Sequence, residues 1–140
     1  MTSCYQGTIE VVVIPGNTPA GDPLYITGNF NNWDPGDERY RLQLQDDSTY
    51  TIQLPRGFGR IDYKYTRGDW STVEKDICGY EIPDRFFFYG DVEVVMDTVM
   101  SWRDRPPLNC PQITIVIAEL PLNTPENARI TIAGSFNNWN

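Results

Sequence analysis

Ile61-Asp62-Tyr63-Lys64-Tyr65-Thr66 places apolar side chains at every second position, against Asp62, Lys64 and Thr66. That period of two describes a strand with one face on a core and the other toward water. The same pattern runs outward on both sides. Upstream, Tyr50, Ile52 and Leu54 alternate with Thr51 and Gln53 until Pro55, Gly57 and Gly59 interrupt them, and Tyr40, Leu42 and Leu44 share one face. Leu24 to Thr27 reads as a short strand, and the β-branched run Thr8 to Ile14 is closed by Pro15-Gly16. Downstream, Arg67-Gly68-Asp69 turns into Trp70, followed by a strand-like Ser71 to Val73 and an acidic, irregular Glu74 to Arg85. Phe86 to Tyr89 and Asp91 to Trp102 supply the closing strands, with Val92-Glu93-Val94-Val95-Met96 suited to a sheet interior. Short strands between proline and glycine turns, with no helical period, predict an all-β sandwich of about seven strands within residues 5–102.

Gly28-Asn29-Phe30-Asn31-Asn32-Trp33 returns as Gly134-Ser135-Phe136-Asn137-Asn138-Trp139. An ungapped offset of 106 aligns residues 4–34 with 110–140 and gives 14 identities over 31 positions, Cys4 with Cys110 and Asn17-Thr18-Pro19 with Asn123-Thr124-Pro125 among them. A period longer than the roughly 20–50 residues of solenoid repeats indicates tandem domains. The expected division is a complete module over 1–103, a proline-stiffened linker over 104–109, and over 110–140 the opening of a second copy. Each motif breaks its strand at a glycine, where backbone freedom allows a turn. The paired asparagines tolerate left-handed conformations, so a tight loop delivers the tryptophan. Residues 110–140 carry two strand patterns without a sheet of their own, and their edges are expected to add to another copy's sandwich, giving a dimer.

Net charge is −8 over 140 residues, which argues against a nucleic-acid partner. No apolar run approaches the roughly 20 residues a membrane span needs, and the N-terminus lacks the regions of a signal peptide. The chain has no histidine, which removes the commonest general base, any serine- or cysteine-histidine nucleophile and the commonest metal ligand. Cys4, Cys78 and Cys110 show no zinc spacing; they read as small buried hydrophobes or, for Cys4 and Cys78, as a bridge. Asp34, Asp37 and Glu38 offer oxygen ligands for calcium, against the alternative of a solvated turn. Glu74, Asp76, Glu81 and Asp84 could hold a glycosidase pair, yet nothing in the pattern raises a carboxyl pKa, so no catalytic residue and no cofactor or metal is expected.

An exposed indole presents a flat apolar face with polar atoms at its rim, which matches the C–H face of a pyranose ring. Trp33 on its loop and Trp70 after the Lys64 strand would make a two-ring platform with Lys64 between them. Each residue also has a plainer role open to it: Trp33 as a plug at the end of the core, Lys64 as a solubilising charge, and Trp102 as packing. Gly28 to Trp33, Leu54-Pro55, Ile61 to Tyr65 and Gly68-Asp69-Trp70, in this order and spacing, resemble the starch- and glycogen-binding modules of carbohydrate-binding families 20 and 48, including the glycogen-binding domain of the AMP-activated kinase β subunit. The resemblance covers about residues 7–102 and implies an Ig-like antiparallel sandwich that holds an α-glucan.

By its motifs the resemblance assigns the stacking roles to Trp33 and Trp70 and the polar clamp to Lys64, with Asn32, Glu74 and Asp84 flanking them. Asp84, in Pro83-Asp84-Arg85, stands where the family often has a glucan-contacting asparagine, so a donor is replaced by an acceptor. Thr72-Val73-Glu74 and Glu81-Ile82-Pro83-Asp84-Arg85 are also similar to tandem modules that precede esterase-type catalytic domains in bacterial surface or secreted proteins. The expectation is a non-catalytic accessory module of a longer secreted or cell-surface protein, with α-glucan and a neighbouring domain as partners. The alternative is an Ig-like spacer that positions a catalytic domain, an esterase or a glycoside hydrolase, and binds no sugar.

Overall fold

The computed structural model describes residues 4–140; Met1 to Ser3, the start of the expected module, lie outside the described residues. The strands are β1 (Tyr5–Val13), β2 (Tyr25–Gly28), β3 (Gln43–Leu44), β4 (Tyr50–Gly57), β5 (Arg60–Thr66), β6 (Glu74–Lys75), β7 (Arg85–Phe88), β8 (Val94–Thr98) and β9 (Ser101–Trp102). They build a four-stranded sheet in the order β3-β4-β1-β8, a three-stranded sheet in the order β2-β5-β7, and a small β6-β9 pair. The result is an all-β sandwich. Three of the nine strands are only two residues long, and β8 runs parallel to β1 while every other pair of strands is antiparallel.

The core lies between the two larger sheets. Ile9, Val11 and Leu54 face Ile26, Ile61, Tyr63, Tyr65 and Phe87, with Leu24, Leu42, Val99 and Trp102 closing the ends. Alternation on β5 is as the sequence predicts, with Ile61, Tyr63 and Tyr65 buried. Both tyrosine hydroxyls donate to Asp97 Oδ2 of β8, each at 2.7 Å, so a polar seam crosses the apolar layer. Burial raises both phenol pKa values. Trp102 is buried and donates from Nε1 to Thr18 Oγ1 at 2.8 Å, in the packing role open to it from sequence.

Several local expectations change. Tyr40 belongs to a 3-10 turn, Glu38–Tyr40, and Leu44 is exposed, so Tyr40, Leu42 and Leu44 do not share one buried strand face. Strand β4 runs past Pro55 to Gly57, because a register shift opposite Gln6 places the proline where no ladder donor is needed. Ser71 to Val73 is largely a second 3-10 turn, Trp70–Thr72. Val92, Val94 and Met96 are exposed, since β8 is an edge strand that turns Val95 and Asp97 inward instead. Asp37 is taken up by Arg39 and Glu38 by the Tyr25 hydroxyl, so both carboxylates of that turn already have protein partners.

Cys78 and Cys110 form a disulfide, with their Cα atoms 4.6 Å apart, and Cys4 is free and exposed. The Cys4–Cys78 pairing and the buried-thiol reading are both corrected: Cys78 is taken by Cys110, because the linker returns beside it, with Pro107 3.7 Å from where a Cβ on Gly79 would stand. Asn17 Nδ2 donates to Pro106 O at 2.9 Å along that return. Residues 111–134 hold no strand, and Ile113, Ile115, Val116 and Ile117 are exposed. In the first copy the equivalent β1 is held by β4 and β8, whose counterparts would fall after residue 140. The turns of the second copy nonetheless recur, with Trp139 N donating to Gly134 O at 2.8 Å as Trp33 N does to Gly28 O at 3.0 Å.

Candidate functional site

The loop after β2 is built from its own asparagines. Asn31 is buried; its Oδ1 accepts from Gly28 N at 3.0 Å and its Nδ2 donates to Asp34 O at 3.0 Å. Asn32 and Trp33 then take left-handed conformations, φ 55° and 57°. That is costly for an indole-bearing residue, and the Gly28 and Asn31 bonds hold it there. Gly28 itself serves by its size and not by a left-handed turn: a Cβ there would lie 2.1 Å from Asp62 O. The loop therefore sits directly on β5.

Trp70 starts the second 3-10 turn, where Asp69 accepts from Ser71 N at 2.7 Å and Thr72 reciprocates, a capping box in miniature. The Ser71 hydroxyl holds the Asp69 carboxyl below the usual range. Two contacts join the tryptophan loops. Thr66 Oγ1 donates to Pro35 O at 2.5 Å, and Gly36 packs so closely that a Cβ would stand 2.5 Å from Gly68 O.

Trp33, Trp70, Lys64 and Asp84 accordingly line one open depression of about 320 Å³, together with Glu81, Val73 and Arg103. Trp33 is half-buried and Trp70 is 39% exposed, so each indole is seated by the protein yet accessible. Lys64 projects from the outer face of β5 and donates from Nζ to Ile82 O at 2.8 Å, with Glu81 Oε2 at 3.5 Å and Asp84 Oδ1 at 3.9 Å. Its ammonium is fixed at the edge of the depression. Lys75 also donates to Glu81, and that bond is the main reason the Glu81 carboxyl is held below its ordinary pKa.

Two expected site residues stand elsewhere. Asn32 is exposed on the loop but does not line the depression. Glu74 is fully buried on β6, where it accepts Arg85 Nη2 at 2.8 Å, Arg85 Nε at 3.0 Å and Tyr65 N at 3.0 Å. Burial pushes its carboxyl pKa up against the pull of Arg85. Glu74 is thus a structural counter-ion beneath the site; a two-residue strand turned it inward, which no alternation in an irregular acidic stretch announces. Val73 and Arg103 are not singled out by the sequence, and Glu81 is weighed there only as a carboxylate of a glycosidase pair. Glu81 shares the string with Asp84, and Arg103 follows the buried Trp102, but only the fold brings both to the tryptophans.

Among the described residues no group of three or more aspartate, glutamate or cysteine side chains is placed to hold a metal ion, and no helix is long and apolar enough to cross a membrane. No family model matches the chain. It is 41% identical over 97 residues to an alpha-amylase of Niallia circulans, 34% over 138 residues to an amylopullulanase of Thermoanaerobacterium thermosulfurigenes, and 38% over 135 residues to an amylopullulanase of Thermoanaerobacter thermohydrosulfuricus. These relatives are amylases and amylopullulanases. The matches take in 67%, 88% and 86% of this chain but only 7%, 7% and 9% of the relatives, so the chain corresponds to a small part of each. The two amylopullulanase matches take in more residues than 1–103 supply, and so include residues outside that range.

Proposed function

We propose that this chain is a non-catalytic carbohydrate-binding module that takes an α-glucan by stacking, as an accessory part of a longer starch-degrading protein. The observation that carries the reading is the shared depression: two accessible indoles from separate loops line it together with a lysine ammonium fixed on β5. Trp33 and Trp70 offer their faces to successive sugar rings, Lys64 and Arg103 donate to hydroxyls, and Asp84 and Glu81 accept from them. Each ring is worth about 1–1.5 kcal/mol of contact, roughly tenfold in affinity. The openness of the depression suits a polymer lying across it more than a buried small molecule. The resemblance to families 20 and 48 supports the same assignment, as do relatives named alpha-amylase and amylopullulanase.

The division into a module over 1–103, a linker and a second copy belongs to this reading, and a Cys78–Cys110 disulfide suits a secreted or cell-surface setting. The test is intrinsic tryptophan fluorescence during titration with maltoheptaose, repeated with Trp33→Ala and Trp70→Ala after their far-UV spectra have been matched to the parent. A saturable change that is lost in both variants is expected. No response to any soluble α-glucan would overturn the reading and leave the spacer role.

A further inference from the structure

On the outer face of the three-stranded sheet, β5 carries Lys64, Asp62 and Arg60 in one column, and the chain entering and forming β7 carries Asp84, Phe86 and Phe88 in the next. The register pairs Asp62 with Phe86 and Arg60 with Phe88, and Lys64 Nζ lies 3.9 Å from Asp84 Oδ1, so the two columns share their rows. Strand rise sets successive rows about 7 Å apart. The depression at Lys64 is therefore one end of a strip that runs about 14 Å further along the sheet.

The composition of that strip is unusual for a solvated sheet face, where polar side chains are the rule. Phe86 is 55% and Phe88 44% exposed, with their ring centroids 6.3 Å apart. Arg60 lies over Phe86 at 4.2 Å and is fixed there by Asp62 Oδ1 at 2.8 Å from its Nε. A second set of aromatic rings, one cation and one carboxylate thus repeats the chemistry of Trp33, Trp70, Lys64 and Asp84, on the same face and continuous with it.

We infer that Phe86, Phe88 and Arg60 form an extension subsite that takes the next stretch of the same α-glucan chain beyond the tryptophan platform. The inference rests on the function proposed above. A chain leaving the Lys64 row along the strands meets Phe86 and then Phe88 as apolar faces, with Arg60 as hydroxyl donor and Asp62 as acceptor. The module then discriminates by chain length, preferring long unbranched segments to short ends.

The experiment compares maltotetraose with soluble amylose in calorimetric titrations of the full chain and of Phe86→Ser/Phe88→Ser, a double variant of two exposed side chains. Expected is an unchanged maltotetraose affinity, which shows that the fold and first site are intact, and a ratio of amylose to maltotetraose affinity reduced about tenfold. An unchanged ratio would overturn the subsite. Should maltotetraose fail to bind the parent, the first-site reading has failed by itself. Amylose binding that survives Trp33→Ala/Trp70→Ala but not Phe86→Ser/Phe88→Ser would then still support the phenylalanine strip, and no amylose binding would overturn it too.

Discussion

Replacing Gly28 by alanine plants a methyl carbon 2.1 Å from the Asp62 carbonyl oxygen and 2.8 Å from Phe30 Cε1. The first partner is backbone of the neighbouring strand and has no rotamer by which to retreat. Ordinary contact begins near about 3.5 Å, so β2 must part from β5 by more than an ångström at the pair Gly28 and Tyr63. Overpacking of this kind costs about 1–3 kcal/mol, offset by up to about 1 kcal/mol from the stiffer unfolded chain. A net loss of about 2 kcal/mol is expected, or about 10 °C in Tm for a unit near 100 residues. The repeat supplies an internal control. At Gly134 the three atoms nearest the added carbon all belong to the Phe136 ring, the first at 2.5 Å, and that ring is 69% exposed and able to swing away. Gly134→Ala should stay within about 0.5 kcal/mol of the parent. Urea unfolding of both variants at constant m decides it, and equal losses in the two would refute the steric account.

Glu74→Gln keeps an acceptor for Tyr65 N but leaves the Arg85 guanidinium with only Asp97 Oδ1, at 3.2 Å, as countercharge; a loss of about 3 kcal/mol in denaturant unfolding is expected. Glu81 behaves differently with pH. Its depressed carboxyl contributes stability above the unfolded value of about 4.3 and loses it only as pH falls through the lower folded value, so glucan affinity should be flat from pH 7 to about 5 and decline below about 4. Glu81→Gln should remove that acid decline in a calorimetric pH series.

Much of the fold was legible because period-two alternation reports directly which side chains face inward: β1, β2, β5 and β7 all lie where Ile9, Ile26, Tyr63 and Phe87 put them. Alternation says nothing about what covers a face. Val92-Glu93-Val94-Val95-Met96 is apolar at four of its five positions and reads as sheet interior, yet β8 lies at an edge and turns Asp97 inward, where two tyrosine hydroxyls donate to its carboxylate. The tryptophan loop was legible for the opposite reason. Its bonds close within six residues, which is why Asn137 and Trp139 rebuild it without a sheet. Glu74 and Glu81 lie seven residues apart in one acidic stretch, and only the pairing of β6 with β9 sends the first inward and leaves the second at the rim. The Cys78–Cys110 bond required knowing that the linker doubles back over the sandwich.

That bond has a mechanical meaning. The two sulfurs join positions 32 residues apart in sequence, and everything from Gly79 to Asn109, including β7, β8 and β9, hangs between them as a closed loop. Tension applied to the chain from either side of that loop passes through the sulfur–sulfur bond and bypasses it. About 110 Å of backbone is thereby withheld from extension. A glucan-bound module pulled by its neighbours would yield first at the hydrogen bonds of β1, while β7 and the covalent length behind it stayed slack.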